Sequence, residues 1–449
     1  MVLVLVRSSL ADSEAQSFSS QYRAVQPTSP HHQRSIVASI LAAASMMLRR
    51  TLPILSLAIG ALAAVPLLQA ALSPTILEPS TSKDLLHLHR KLVEIESISG
   101  NEKNVGDWLT EYLRAHNWTV ERQEASKDRY NLLAYGSKRE TTILLSSHID
   151  VVPPYWPYYY NETTDVIGGR GSVDAKGSVT PMIIAAQGIK EHLQDDISLL
   201  FVVGEETGGD GMRAFSNWDK RPSSHEIVIF GEPTEAKLVC GHKGMLGFEV
   251  KATGKAAHSG YPWLGVSAND IMVQALGELL KLREHLPWST KYGNTTMNFG
   301  RIQGGVAANV VAETATANIA TRIAADTPDV IRGQILDALK DIKAFAQKEG
   351  GDLDVQWGGE AYGVVNINCD IEGFETLTVN YGTDVPHLSG DHKRYLYGPG
   401  SIFVAHSDHE ALKRKELEQA VLDYRRLILK ATEVREKERQ LRDEEQLEL

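Results

Sequence analysis

Short apolar runs, bounded by glycine, proline or polar residues, alternate along this chain with stretches whose apolar residues fall at helical spacing. Thr142-Ile143-Leu144-Leu145-Ser146, Leu199-Leu200-Phe201-Val202-Val203, Ile227-Val228-Ile229-Phe230 and Ser401-Ile402-Phe403-Val404-Ala405 are nearly continuous and of strand length. That is the pattern of strands buried on both faces. Residues 179–192 carry Ile183, Ile184, Ala186 and Ile189, and Leu417, Val421, Tyr424 and Ile428 share one helical face near the C-terminus. The alternation predicts an α/β catalytic domain with a mostly parallel sheet and helices on both faces.

Between residues 243 and 360 the pattern changes. Residues 245–252 read as a strand, and 266–286 as a helix with Ile271, Leu276, Leu279 and Leu280 on one side. Strands at 296–302 and 312–323, a helix at 327–347 and a strand at 353–357 follow. This β-α-β-β-α-β order is the ferredoxin-like split unit. It predicts an inserted α+β lid over 243–360 that divides the catalytic domain into parts 80–242 and 361–449. Beyond Arg435 the last helix is charged all round and reads as solvated.

Residues 51–77 carry no charge and follow Arg49-Arg50; an apolar run (52–62) leads into Ala61-Leu62-Ala63. This is the layout of a secretory signal peptide over 46–72 with a small-residue cleavage site, Met46 or Met47 being the start and 1–45 a non-structural extension. Pro53, Pro66, Gln69 and Pro74 argue against an uncleaved anchor, so no stable membrane association is expected. Asn117, Asn161 and Asn294 each open an Asn-x-Thr triplet, the acceptor pattern for N-glycosylation. Together these features predict a secreted glycoprotein.

The 449 residues are 43% hydrophobic and 23% charged, which fits a packed globular protein and excludes a disordered chain. A net charge of −11 excludes the clustered positive surface that nucleic-acid binding needs. Two cysteines, Cys240 and Cys369, are too few for a disulfide scaffold or a thiolate zinc site; one bridge and two buried thiols both remain open.

The candidate chemistry lies where the apolar runs stop. The four runs lead into His148 and Asp150, into Glu205-Glu206, into Glu232, and into His406. In open α/β sheets ligands gather beyond the carboxyl ends of the strands, so four such ends point to one site. A fifth element, Asp174, sits in Gly168-Gly169-Arg170-Gly171-Ser172-Val173-Asp174-Ala175-Lys176-Gly177. Its Lys-Gly order does not match a nucleotide-binding loop, and its glycines suit backbone crowded against an ion. Two imidazoles and several carboxylates with no thiolate suit zinc, or manganese or cobalt. Asp174, Glu206, Glu232 and one bridging hydroxide would balance the charge of two divalent ions.

Ser147-His148-Ile149-Asp150, the Asp174 loop, Gly204-Glu205-Glu206, Gly231-Glu232-Pro233-Thr234 and Gly398-Pro399-Gly400…Ala405-His406 occur together and in order. With them the chain resembles the co-catalytic dizinc metallopeptidase family of glutamate carboxypeptidase, aminoacylase, acetylornithine deacetylase and succinyl-diaminopimelate desuccinylase, and is most similar to its secreted carboxypeptidases. The resemblance covers about residues 83–430. It implies two Zn²⁺ per subunit, with Asp174 bridging, His148 and Glu232 completing one ion's ligands, and Glu206 and His406 the other's. Asp150 would hydrogen-bond His148, and Glu205 would be the general base acting on a water held between the metals. In the lid, His258 is similar to a histidine donated by the partner subunit, Asn309 to a polar substrate contact, and Arg322 to an arginine that grips the substrate carboxylate. Two positions depart from the pattern: Ala320 replaces an acid two residues before Arg322, and Ser147 replaces the glycine before His148.

The expectation is therefore a homodimer, formed through the lid, that hydrolyses the amide bond next to the free C-terminal carboxylate of peptides. An N-acyl-amino-acid amidohydrolase using the same metals is the alternative, and a metal-free, non-catalytic binding homologue is the reading from another class. The aromatic run Tyr155-Trp156-Pro157-Tyr158-Tyr159-Tyr160 reads equally as a substrate mouth or as packing.

Overall fold

The structure is a computed structural model that describes residues 76–193 and 195–447; the expected signal peptide and the extension before it lie outside these residues. Its centre is a six-stranded sheet in the order Thr119–Ser126, Arg129–Tyr135, Ile197–Val202, Ile143–His148, Ile227–Phe230, Lys393–Leu396. The last four run parallel; the first two form a hairpin, whose inner strand Arg129–Tyr135 pairs antiparallel with Ile197–Val202.

Every residue of Ile143–His148, Ile197–Val202 and Ile227–Phe230 is buried, as continuous apolar runs require. Leu144, Leu200, Val202, Val228 and Phe230 point to one face, where they meet Met212 and Phe215 of the helix Asp210–Ser216. The helices Pro79–Glu94, Lys176–Ile189 and Arg414–Leu447 pack against one another. Lys176–Ile189 is buried on nearly every side; its polar residues are accommodated by backbone carbonyls, Lys176 Nζ donating to Leu92 and the Thr180 hydroxyl to Lys176. The C-terminal helix docks through Leu417, Val421, Tyr424 and Ile428, all fully buried, and the Tyr424 hydroxyl donates to the Tyr397 carbonyl at 2.7 Å. Among the described residues no helix is long and apolar enough to cross a membrane.

The fourth predicted strand is a correction. Residues 401–405 lie in turns, with Phe403 83% exposed, and the strand beside Ile227–Phe230 is Lys393–Leu396. The run is apolar, but it follows Gly398-Pro399-Gly400 with Gly400 at φ +75°, which turns the chain out of the sheet before the run begins.

A second, wholly antiparallel sheet is built from Thr296–Gly304, Thr314–Ile323, Gly244–Thr253 and Asp352–Tyr362, in that order. The helices Ala268–Arg283 and Pro328–Lys348 pack on it, giving the ferredoxin-like arrangement. Leu246, Phe248, Val250 and Ala252 alternate into its core with Ile271, Leu279, Ile331 and Ile335. The helices open on Ser267 and Thr327, whose side chains accept the amides of Asp270 and Val330. Leu280, expected on the core side, is 44% exposed because it lies one position past the buried Leu279 stripe.

The chain enters and leaves this second sheet side by side. Val365 and Asn366 pair with His242 and Gly241, and Cys240 is disulfide-bonded to Cys369 across the same root. The open question about the two thiols is thereby answered.

Candidate metal centre

The carboxyl ends of the parallel strands converge. His148 is the last residue of its strand, Glu205-Glu206 and Glu232 stand on the turns after the neighbouring two, and Asp174 precedes the helix Lys176–Ile189. Ser147, which replaces the expected glycine, donates its hydroxyl to the Gly231 carbonyl at 2.9 Å and so ties two of these ends together. Gly204 takes φ +74°, a left-handed turn that aims the two glutamates back at the sheet end. A side chain at Gly398 would collide with the Glu232 backbone, so the Gly-Pro-Gly segment can lie close against that ligand residue only because it lacks one.

His148 Nε2 is 3.1 Å from Asp174 Oδ1 and 3.8 Å from Glu232 Oε2. His406 Nε2 is 3.2 Å from Asp174 Oδ2 and 3.0 Å from Glu206 Oε2. The two triads, His148–Asp174–Glu232 and Asp174–Glu206–His406, each hold their ligand atoms within 4.8 Å of one another and share Asp174. Imidazole nitrogen and carboxylate oxygen without thiolate is a donor set for a pair of divalent ions of the zinc type. The first triad is buried, whereas the His406 side chain is 52% exposed and its backbone sits at φ +60°. The second triad therefore reaches solvent through His406 alone, its two carboxylates being buried.

Asp150 stands beside His148 and also holds the glutamate turn. His148 Nδ1 lies 2.9 Å from the backbone carbonyl of Asp150 and 3.6 Å from its carboxylate. The carboxylate accepts the amides of Glu205 (3.2 Å) and Glu206 (3.3 Å) and the Ser99 hydroxyl (2.7 Å). One fully buried side chain thus fixes the turn that carries two acids of the site.

The electrostatics are those of carboxylates crowded out of water. Burial, followed by the charge of Glu232, pushes the Glu205 carboxyl well above its ordinary range. Burial likewise raises Glu206, Glu232 (to about 7) and the neighbouring Asp384 (to about 8), whose Oδ1 has no hydrogen-bond partner. Burial also opposes ionisation of Asp174, but hydrogen bonds from His148 and His406 outweigh it and hold that carboxyl low. Bonds to Asp174 and then Glu206 raise His406 to about 10. Positive charge placed among these acids relieves the repulsion.

The lid residues lie at two ends of their sheet. Arg322 stands at its root, half-buried, with Nη1 3.3 Å from Met245 Sδ, and its charge bears on His242 and Tyr362. His258 and Asn309 are exposed at the far tip, where the Ser259 amide donates to the Asn309 carbonyl at 3.0 Å. The first half of the aromatic run packs, Trp156 lying 4.0 Å under the Arg170 guanidinium and the Tyr155 hydroxyl donating to the Glu94 carbonyl at 2.8 Å, whereas Tyr159 and Tyr160 are exposed. Asn117, Asn161 and Asn294 are all exposed. Sequence reading passed over Glu410, a 1%-exposed acid that receives several loop amides next to Asp174. Its only signal was a place four residues after His406.

Residues 240–346 match the family model for the peptidase dimerisation domain of M20 enzymes, and residues 132–232 match that of peptidase family M28. A protein of Aspergillus flavus named "Probable carboxypeptidase" is 48% identical over 398 residues, covering 79% of this chain and 92% of the relative. A second so named, from Aspergillus terreus, is 49% identical over 376 residues, covering 76% and 85%. Among solved structures, a tripeptidase from Staphylococcus aureus superposes with a TM-score of 0.63 at 23% identity, covering 79% of this chain and 99% of the other. The M20 family metallo-carboxypeptidase Sso-CP2 from Sulfolobus solfataricus gives 0.60 at 17%, covering 77% and 99%. With the fungal relatives matched along most of their length and two carboxylate–imidazole triads meeting at Asp174, the chain belongs to the M20 family of metallopeptidases, as a metal-dependent hydrolase of the carboxypeptidase group.

Proposed function

We propose that this protein is a secreted dizinc carboxypeptidase that removes C-terminal residues from peptides as a homodimer. The observation that carries the reading is the pair of triads sharing Asp174. His148, Asp174 and Glu232 would hold one Zn²⁺, and Asp174, Glu206 and His406 the other. Once bound, the ions lower the pKa of water and polarise a carbonyl oxygen.

The remaining work falls to the chain's own groups. Glu205 takes a proton from the attacking water and passes it to the departing amine; as an adjacent residue on the turn, it leaves Glu206 free to ligate. Asp150 keeps Glu205 and Glu206 in fixed register through their amides. Arg322 offers two parallel N–H donors to the substrate's terminal carboxylate, a geometry a lysine cannot supply.

The position of His258 supports a dimer. It lies beyond the far end of the ten-residue strand Gly244–Thr253, which is roughly 30 Å long and has its other end at the root. A histidine so placed serves a second subunit's site, and the match of 240–346 to a dimerisation domain agrees. Export is supported by the Cys240–Cys369 bridge, since such bonds persist in oxidising compartments, and by the exposed Asn117, Asn161 and Asn294 acceptors.

The test is a panel of N-blocked dipeptides, their C-terminal amides and N-acetyl amino acids, run with and without chelator, beside elemental analysis of the purified protein. Cleavage of blocked dipeptides alone, lost on chelation and on amidation, is expected with two zinc ions per chain. Preference for N-acetyl amino acids would reassign the enzyme to the amidohydrolases. Turnover indifferent to chelator would remove the metal reading.

A further inference from the structure

Glu410 is fully buried and reaches back 236 residues to the loop that carries Asp174. Its Oε1 accepts three backbone amides: Gly171 at 3.0 Å, Val173 at 3.1 Å and Asp174 at 3.1 Å. Its Oε2 accepts Arg170 Nη1 at 2.6 Å, and that guanidinium is itself fixed by the Pro154 carbonyl and the face of Trp156. Its backbone carbonyl accepts the Gly169 amide at 3.3 Å and the Ser172 hydroxyl at 3.2 Å. The loop from Gly169 to Asp174 is therefore folded around one residue, which stands four positions after His406.

We infer that Glu410 is a positioning residue for the metal pair, setting the Asp174 carboxylate against His406 before any ion arrives. The inference rests on the reading of Asp174 and His406 as ligands. The two are far apart in the chain, and Asp174 must present Oδ1 to the His148 side and Oδ2 to the His406 side. Clamping the Asp174 amide and the His406 segment to one carboxylate fixes both. Only a carboxylate satisfies this arrangement. One oxygen faces three N–H donors and the other faces a guanidinium, so an amide of the same shape turns its NH₂ against one donor set or the other. An aspartate is one methylene too short to span both.

The test compares metal binding by the unaltered protein and Glu410→Gln, using stepwise Co²⁺ or Zn²⁺ loading of the chelator-stripped protein, followed by competition with a chromophoric chelator. The unaltered chain is expected to take two ions. Glu410→Gln is expected to weaken the Asp174–Glu206–His406 ion by about 10- to 100-fold, more than the other, the range seen when groups that orient ligands are removed. In turnover, kcat should fall with KM nearly unchanged. A structural role alone lowers the thermal midpoint and leaves both affinities in place. Failure of the unaltered chain to bind two ions sinks the metal reading itself. Two ions held as tightly by Glu410→Gln as by the parent overturns the positioning inference. Should the variant fail to fold, amide exchange on the unaltered metal-free protein decides. Gly171, Val173 and Asp174 should exchange as slowly as the interior of the Lys176–Ile189 helix, and loop-like rates would refute a preset loop.

Discussion

Replacing Cys240 and Cys369 by alanine removes a cross-link that closes a stretch of 129 residues. If that whole stretch is unstructured in the unfolded state, the lost loop-closure entropy corresponds to about 5 kcal/mol. The lid, however, has its own core, with Leu246, Phe248, Val250, Ile271, Leu279 and Ile335 all buried. If the lid persists while the catalytic sheet melts, only the roughly ten flexible residues at its root count as loop, and the same relation gives about 3 kcal/mol. The size of the effect therefore reports whether lid and sheet unfold together. Urea unfolding of the parent and the double variant, followed by tryptophan fluorescence and far-UV circular dichroism, measures it, with coincident probes required for the larger figure. Thiol titration of the denatured, unreduced parent should find no free cysteine. A difference below about 1 kcal/mol would refute the argument that the bridge constrains the root.

Glu205→Gln should retain both ions and lose about 10²- to 10⁴-fold in kcat, the share a general base contributes; near-normal turnover would remove it from that role. Equal mixing of Glu205→Gln with His258→Ala subunits, after dissociation and reassembly, should restore about a quarter of the parent rate, because half the dimers then hold one complete site. No recovery would place His258 within its own subunit's chemistry or outside catalysis. His89 and His242 are buried and held neutral down to about 4 by the loss of hydration. The unfolded chain takes up protons at these rings below about 6.5 and the folded chain does not, so stability falls as pH drops through that window, by about 2 kcal/mol per ring at pH 5. Urea midpoints at pH 7.5 and 5.0 should show His89→Phe losing less over this interval than the parent, and an equal loss would contradict the buried neutral ring.

The parts of the site visible in the sequence were those written locally. His148, Glu206 and Glu232 stand at the ends of apolar runs that do form inner strands, and Asp174 sits among glycines before a buried helix, so residue type and element are read in one window. His406 lay beside the wrong element: residues 401–405 look like a strand, but Lys393–Leu396 already occupies the adjacent edge. Competition between two candidate strands for one edge is a tertiary matter that periodicity does not encode. The Asp150 carboxylate lies 3.6 Å from the His148 ring and, beyond what the sequence suggests, also accepts two amides from a turn 55 residues away. Glu410 had no local pattern at all, since each of its side-chain partners lies more than 230 residues distant.

The paired crossing at His242 and Val365 brings the chain into and out of the second sheet at one place, where Thr378 also donates to the Lys291 carbonyl and Arg213 meets Glu360. No strand of the six-stranded sheet and no member of either triad comes from the chain between those two residues, whereas Arg322, His258 and Asn309 all do. Cut out between those two residues, the inserted stretch would take with it every residue proposed to choose a substrate and none of the two triads. The proposed selection of a substrate and the proposed capture of metal are thus written in separate stretches of the polypeptide.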